Sequence, residues 1–149
     1  MTDRSFIGYT TTPSTAGIDA WRVTLFCQAI GETDPVYHNQ AAAKAAGHRA
    51  CPVPPTYLKA VEGDHCTSAE ILKLLKVPLK GVLHAEQSFT HNSPVYVGDS
   101  VEVSRQIVDI YNKKEGTLTF IVVDSFFRVA SQMAATSRQV ILVRNHMGA

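Results

Sequence analysis

The sequence predicts a single α+β domain spanning residues 1–149. Two observations carry that reading. The hydrophobic periodicity changes once, at Pro78, from helical spacing to long β-branched runs. Segregation of helices before and strands after that point is the α+β pattern. At 149 residues the chain is large enough to bury a core, and it shows no internal repeat, linker or low-complexity segment that would divide it.

Taken in order, the elements begin with a strand over Phe6 to Thr11, followed by a helix over Ile18 to Ile30. In that helix Trp21, Val23, Leu25, Phe26, Cys27 and Ile30 make a broad apolar stripe. Gly31 stands where a left-handed C-terminal residue belongs. A short alanine-rich helix over Gln40 to Ala46 is stopped by Gly47. The prolines of Cys51-Pro52-Val53-Pro54-Pro55-Thr56-Tyr57-Leu58 impose an extended approach, and Pro55 suits the first turn of a third helix reaching about Val61. Thr67-Ser68-Ala69-Glu70 reads as a capping box opening a helix over Ser68 to Leu75.

Beyond Pro78, Val82 to Asn92 is the first long strand, and Pro94 to Asp99 is a turn. Val101, Val103 and Gln106 to Tyr111 form the next strand, and Asn112 to Gly116 is a polar hairpin loop. Thr117 to Val129 and Ala134 to Val143 complete the set, with the β-branched content strands prefer.

Charge and cysteine usage exclude several classes. The formal net charge is +1, and Lys73, Lys76 and Lys80 are scattered, so no footprint for nucleic acid or an anionic membrane is present. No apolar run approaches the roughly 20 residues of a membrane helix, and Met1 to Ser5 lack the apolar core of a secretory signal. Cys27, Cys51 and Cys66 are odd in number and form no CxxC pair, which points to a cytoplasmic protein without a zinc knuckle. Cys27 falls in a helical apolar pattern and reads as a buried thiol; a Cys66–His65 pair has only sequence adjacency behind it.

The chemistry-bearing stretch is Gly31-Glu32-Thr33-Asp34-Pro35-Val36-Tyr37-His38-Asn39. Two carboxylates, a turn-forming proline and a histidine follow directly on a helix. A carboxylate and an imidazole held by a rigid turn can divide proton transfers between them. The bland reading is equally concrete: Asp34-Pro35 is ordinary turn chemistry, and the polar groups decorate a loop.

Five segments together resemble the MaoC-like dehydratases, in the branch called the N-terminal, fatty-acid-synthase-like dehydratase domain. They are Ala29 to Tyr37, Ala42 to Gly47, Val53-Pro54-Pro55-Thr56-Tyr57, Leu83-His84-Ala85-Glu86-Gln87-Ser88-Phe89, and Pro94 to Asp99, in the family's order and spacing. The resemblance runs from about Ile7 to Val143. It implies a hot-dog fold, a long antiparallel sheet wrapped around a central helix that here would start at Pro55, and dimerisation with the acyl chain bound between subunits.

The implied reaction is reversible hydration of a trans-2-enoyl thioester to a 3-hydroxyacyl thioester. A base must activate water, an acid must protonate the α-carbon, and hydrogen-bond donors must stabilise the enolate oxygen. Active members carry Asp-x-Asn-Pro-x-His. Aligned on Pro35, the aspartate becomes Glu32, the asparagine Asp34 and the histidine Tyr37, with His38 one residue late. Glu32 and His38 are therefore the expected catalytic pair. Asp34, Tyr37, Thr56, Tyr57, His84 and Glu86 are the expected substrate-binding residues. The resemblance places the central helix's N-terminus at the thioester carbonyl; because Pro54 and Pro55 lack an N–H, the donor falls to the amide of Thr56 or Tyr57, with the Thr56 hydroxyl.

His84 and Glu86, two apart on a strand, are expected to share one face, as a second dyad or a polar pair at a dimer seam. His91 is expected at a surface or channel rim; His48, His65 and His146 have no predicted partner. No HExxH-type pair exists, so no metal is expected, and no cofactor beyond coenzyme A or acyl carrier protein as the substrate's carrier.

The expectation is thus a cytoplasmic enoyl-thioester hydratase/dehydratase of fatty acid metabolism, a homodimer or a heterodimer with another hot-dog subunit, with no nucleic-acid or membrane partner. Two alternatives share the fold. One is a non-catalytic subunit paired with a catalytic dehydratase chain. The other is an acyl thioesterase, with Glu32 or Glu86 as base.

Overall fold

The computed structural model describes residues 3–65 and 67–145. Its elements are β1 (Ser14–Gly17), α1 (Ala20–Ile30), α2 (Gln40–Ala45), α3 (Tyr57–His65), α4 (Ser68–Leu74), β2 (Val82–His91), β3 (Ser100–Lys113), β4 (Leu118–Val129) and β5 (Gln132–Arg144). The strands form one antiparallel sheet in the order β1-β3-β4-β5-β2. This is the α+β hot-dog fold, with α3 as the central helix. Tyr57, Leu58 and Val61 of α3 pack with Val101, Val103, Phe127, Ala134 and Ala135 of the sheet.

The N-terminal expectation is corrected. Phe6 to Thr11 is not a strand. Arg4–Phe6 is a 3-10 turn and Gly8 turns the chain at φ +94°; an isolated Thr10–Gln106 bridge and backbone bonds of Gly8, Tyr9 and Thr11 to Ile107 and Arg105 tie the segment to β3 without making it a strand. The first strand is instead Ser14–Gly17, paired to β3. Its residues carry weak β-propensity, so pairing with a neighbour rather than local preference makes it a strand.

Helix bounds also move. Ile18 lies outside α1: its amide donates to the Asp99 carbonyl (2.9 Å) and its carbonyl accepts from Gly98 (2.8 Å), tying it to the turn before β3. The apolar stripe of α1 divides. Val23 and Cys27 are buried, whereas Trp21, Leu25 and Ile30 are 65%, 57% and 53% exposed. α3 begins at Tyr57, with Pro55 in the preceding turn, and runs past Val61 to His65. Thr67 makes no side-chain cap; its carbonyl accepts the Glu70 amide (3.2 Å), so the expected capping box does not form. In the β3–β4 hairpin, Asn112 and Lys113 belong to the strand, and Lys114, Glu115 and Gly116 make the turn with positive φ.

The core is not uniformly apolar. One cluster lies near the start of α3; a second joins Ile71, Leu72 and Leu75 to Ile107, Ile110, Ile121 and Ile141. Between them runs a charged and polar belt. Glu62 is 1% exposed and Arg105 0%. Glu62 Oε2 accepts from Ser125 Oγ (2.7 Å) and Ser137 Oγ (3.3 Å), and Oε1 pairs with Lys59 and with Arg105 at 3.4 Å. Gln139 Oε1 accepts from Arg105 (2.6 Å), Lys59 (3.1 Å) and Ser68 (3.2 Å). Such a cluster is tolerable only because its groups are matched to one another.

Candidate functional site

The segment after α1 is built by backbone capping. Gly31 adopts the left-handed conformation (φ +71°), and the Glu32 amide returns to the Cys27 carbonyl (2.8 Å), closing the helix. Glu32 Oε1 then accepts the Asp34 amide (2.9 Å) and Asp34 Oδ1 accepts the Val36 amide (2.9 Å), opening a 3-10 turn over Pro35–Tyr37. Asn39 Oδ1 accepts the Ala42 amide (3.0 Å) and caps α2. Asp34, expected to bind substrate, is an exposed turn cap. The turn leaves His38 exposed and sets Tyr37, half-buried, against the core. Burial pushes the Tyr37 phenol upward, with Glu32 and Asp34 adding to the shift.

Two cavities flank this turn. One, of about 330 Å³, is lined by Thr24, Cys27, Gln28, Glu32, Thr33 and His38. The expected catalytic pair therefore shares a cavity, although no hydrogen bond joins Glu32 to His38 among the described residues. Cys27 is buried at its wall, and burial followed by the Glu32 charge raises its thiol pKa.

The second cavity, of about 340 Å³, lies at the start of α3. It is lined by Val36, Tyr37, His48, Pro52, Val53, Pro55, Leu58 and the segment His91 to Val95. Its ionisable residues are Tyr37, His48 and His91; no carboxylate is among the described residues that line it. His48 has a partner that sequence reasoning missed: its Nδ1 lies 3.2 Å from Tyr96 Oη. Tyr96 is fixed in turn, since Arg49 stacks over its ring (4.2 Å) and binds Asp99 Oδ1 (2.5 Å), while Asp99 Oδ2 accepts the Tyr96 amide (2.9 Å). The Pro52–Tyr96 bridge brings these loops together. No spacing in the sequence signals that contact across 48 residues. His91 is exposed at the cavity's wall and stacked on Phe89 (centroids 5.8 Å apart).

Other expected site residues are placed elsewhere. Tyr57 is 2% exposed and packs edge-on to Phe26 (5.3 Å), and its amide donates to the Pro54 carbonyl (2.9 Å). It is a core residue, and that amide is already engaged, which corrects the expectation of an oxyanion donor there. Thr56 is exposed and does not line the cavity. His84 and Glu86 do not share a face through strand alternation. A bulge falls between them, with His84 opposite Ile141 and Glu86 opposite Val140. His84 Nε2 meets the Glu86 backbone carbonyl (3.1 Å), not its carboxylate, and Nδ1 lies 3.5 Å from Gln139 Nε2. Cys66, the His65 side chain and His146 fall outside what is described. Among the described residues no group of three or more His, Cys, Asp or Glu could hold a metal. No helix among them is long and apolar enough to cross a membrane.

The sequence pattern of the FAS1-like, dehydratase domain region matches residues 5–133. The chain belongs to that family. A UPF0336 protein of Streptomyces griseus is 31% identical over 108 residues, covering 70% of this chain and 71% of the relative. Among solved structures, the truncated HadBC (3R-hydroxyacyl-ACP dehydratase) complex of Mycobacterium tuberculosis superposes with TM-score 0.81 at 16% identity, over 92% of this chain and 96% of that one. The ChsH1–ChsH2 complex of the same organism gives 0.77 at 21% identity, over 94% and 86%. A structure described as a MaoC-like dehydratase gives 0.82 at 17% identity, over 95% and 43%. These likenesses show that the FAS1-like dehydratase chain has the hot-dog fold.

Proposed function

We propose that this chain is the acyl-binding subunit of a two-chain 3-hydroxyacyl-thioester dehydratase, its reverse reaction being hydration of a trans-2-enoyl thioester on coenzyme A or acyl carrier protein. One observation carries the reading. The cavity at the start of the central helix holds Tyr37 where active members carry histidine, and no carboxylate is among its described lining. The expected base, Glu32, accepts the Asp34 amide and lines the other cavity.

A base that must take a proton from water, and an acid that must return one to the α-carbon, have to reach the thioester. In this reading both come from the partner subunit. This chain contributes apolar walls from Val36, Val53 and Leu58, the Tyr37 phenol, whose pKa burial raises, and the Tyr96-anchored His48. Exclusion of water by these walls strengthens each polar contact to the carbonyl.

The partner reading is supported by β2. It ends the sheet, is bonded only to β5, and runs for 10 residues from Val82 to His91. Apart from the bulge between His84 and Glu86, that edge carries no proline or lysine, and an unpaired edge can take up a strand of another chain. HadBC and ChsH1–ChsH2 are both described as complexes of unlike chains. Work in the cytoplasm on fatty-acyl thioesters belongs to this same proposal.

A second reading rests on the cavity that Glu32 and His38 share, which would let the chain hydrate enoyl thioesters alone. Enoyl absorbance followed with purified chain, and then with chain plus a catalytic hot-dog partner, separates the two. Turnover only in the mixture is the expected result. Full turnover by the chain alone overturns the accessory assignment, and release of free thiol would identify a thioesterase.

A further inference from the structure

We propose that the buried charged belt under α3 is the end-stop of the acyl cavity and limits the length of acyl chain this protein accepts. The inference rests on the acyl-binding reading above.

Leu58 lines the cavity and is fully buried. Glu62 lies four residues further along α3, on the same face and one turn deeper. The sheet beneath changes in step. Phe127 and Ala135, opposite each other on β4 and β5, are apolar; the next inward pair is Ser125 and Ser137, and both hydroxyls donate to Glu62. Arg105 stands opposite Ser125 on β3, so the charged row crosses three strands. The cavity's lining stops at Leu58, which packs in one core cluster with Phe127 and Ala135; an alkyl chain that parts Leu58 from the sheet and follows α3 inward meets the carboxylate after one helical turn, about 5.4 Å or about four methylenes.

Going further requires displacing hydrogen bonds to a buried carboxylate and guanidinium. Separating either from its partners leaves an uncompensated charge, and an alkyl group offers nothing in exchange. Below the belt each buried methylene should tighten binding about fourfold. At the belt that increment should vanish. The apolar cluster on the far side, around Ile121 and Ile141, is closed to the ligand although its chemistry would suit it.

The test is calorimetric titration of the full chain with saturated S-acyl-pantetheine thioesters from butanoyl to hexadecanoyl. These carry the portion common to both carriers and cannot be hydrated. The expected wild-type profile rises about fourfold per methylene and then breaks to a plateau or a fall. The double variant Glu62→Leu/Arg105→Met removes both buried charges together, and the remaining cation, Lys59, is 31% exposed and keeps Gln139 as a partner. In it the rise should continue for about four further methylenes, with short-chain affinity within about twofold of wild type. A folded double variant with the wild-type break overturns the end-stop, as does a wild-type series that never breaks, and the latter decides the matter even if the variant does not fold. Absence of binding at every length instead overturns the acyl-binding reading itself.

Discussion

Glu32 Oε1 accepts the backbone amide of Asp34 at 2.9 Å, and this bond commits the chain's most prominent carboxylate to shaping a turn. The consequence is geometric. Closing that turn, and the next one at Asp34, leaves Tyr37 at the wall of the cavity at the start of α3 and Glu32 with His38 at another cavity.

Turnover of the proposed two-chain dehydratase should therefore be insensitive to Glu32→Gln, whose amide oxygen can still cap Asp34. Loss of a general base would cost about 10²–10⁴-fold. Steady-state kinetics on the complex should show kcat within about threefold of wild type, far from that range. A hundredfold fall in kcat would return Glu32 to the chemistry.

Tyr37→Ala should act differently. It removes cavity wall without removing an acid or base, so KM for the enoyl thioester should rise about tenfold or more with kcat nearly unchanged, the pattern of lost uniform binding. A loss confined to kcat would contradict this placement.

Leu83 on the edge strand β2 is 44% exposed. Leu83→Asp places a charge on the proposed seam, and one unpaired charge in an interface suffices to weaken it strongly. Light scattering after size exclusion should show the complex dissociating while the separated chain keeps its thermal midpoint. An intact complex would mean that partners meet elsewhere.

Glu62→Ala alone should destabilise the chain by about 3–5 kcal/mol, because Arg105 remains buried without its carboxylate. Leu58→Ala, a truncation in the apolar cluster, should cost about 2–5 kcal/mol. Urea denaturation reads both. A loss below about 1 kcal/mol for Glu62→Ala would show that the belt is not energetically tight.

Alkaline pH should also destabilise the protein. Burial raises the pKa values of Cys27, Tyr37 and Tyr57 in the folded state. A raised pKa means the native state holds its protons more tightly than the unfolded chain. The stability so gained is complete below the unfolded values, near pH 8.5 for Cys and about 10 for Tyr, and is lost as pH rises through the folded ones. Tyr37→Phe and Tyr57→Phe together should flatten the decline above about pH 10, measured as denaturation midpoint against pH. An unchanged slope would assign the decline to other groups.

The sequence by itself determined what local chemistry can determine. The change of periodicity at Pro78 set the helices ahead of the four long strands, and Gly31 ended α1 because a left-handed residue is needed there. The run of family segments carried the resemblance that implied the hot-dog fold. Only tertiary structure decided the rest. Ser14–Gly17 became a strand by pairing with β3, against its own propensity. The bulge after His84 undid a spacing-of-two argument, since one extra residue reverses every later side chain on a strand. Tyr57 went to the core, and His48 found Tyr96 across 48 residues. The Glu62–Arg105 belt joins helix to sheet through residues separated by 43 positions in the chain. Periodicity reports which face of an element is buried, but not which polar groups on two buried faces will meet, because that depends on register and packing between elements rather than on either element alone.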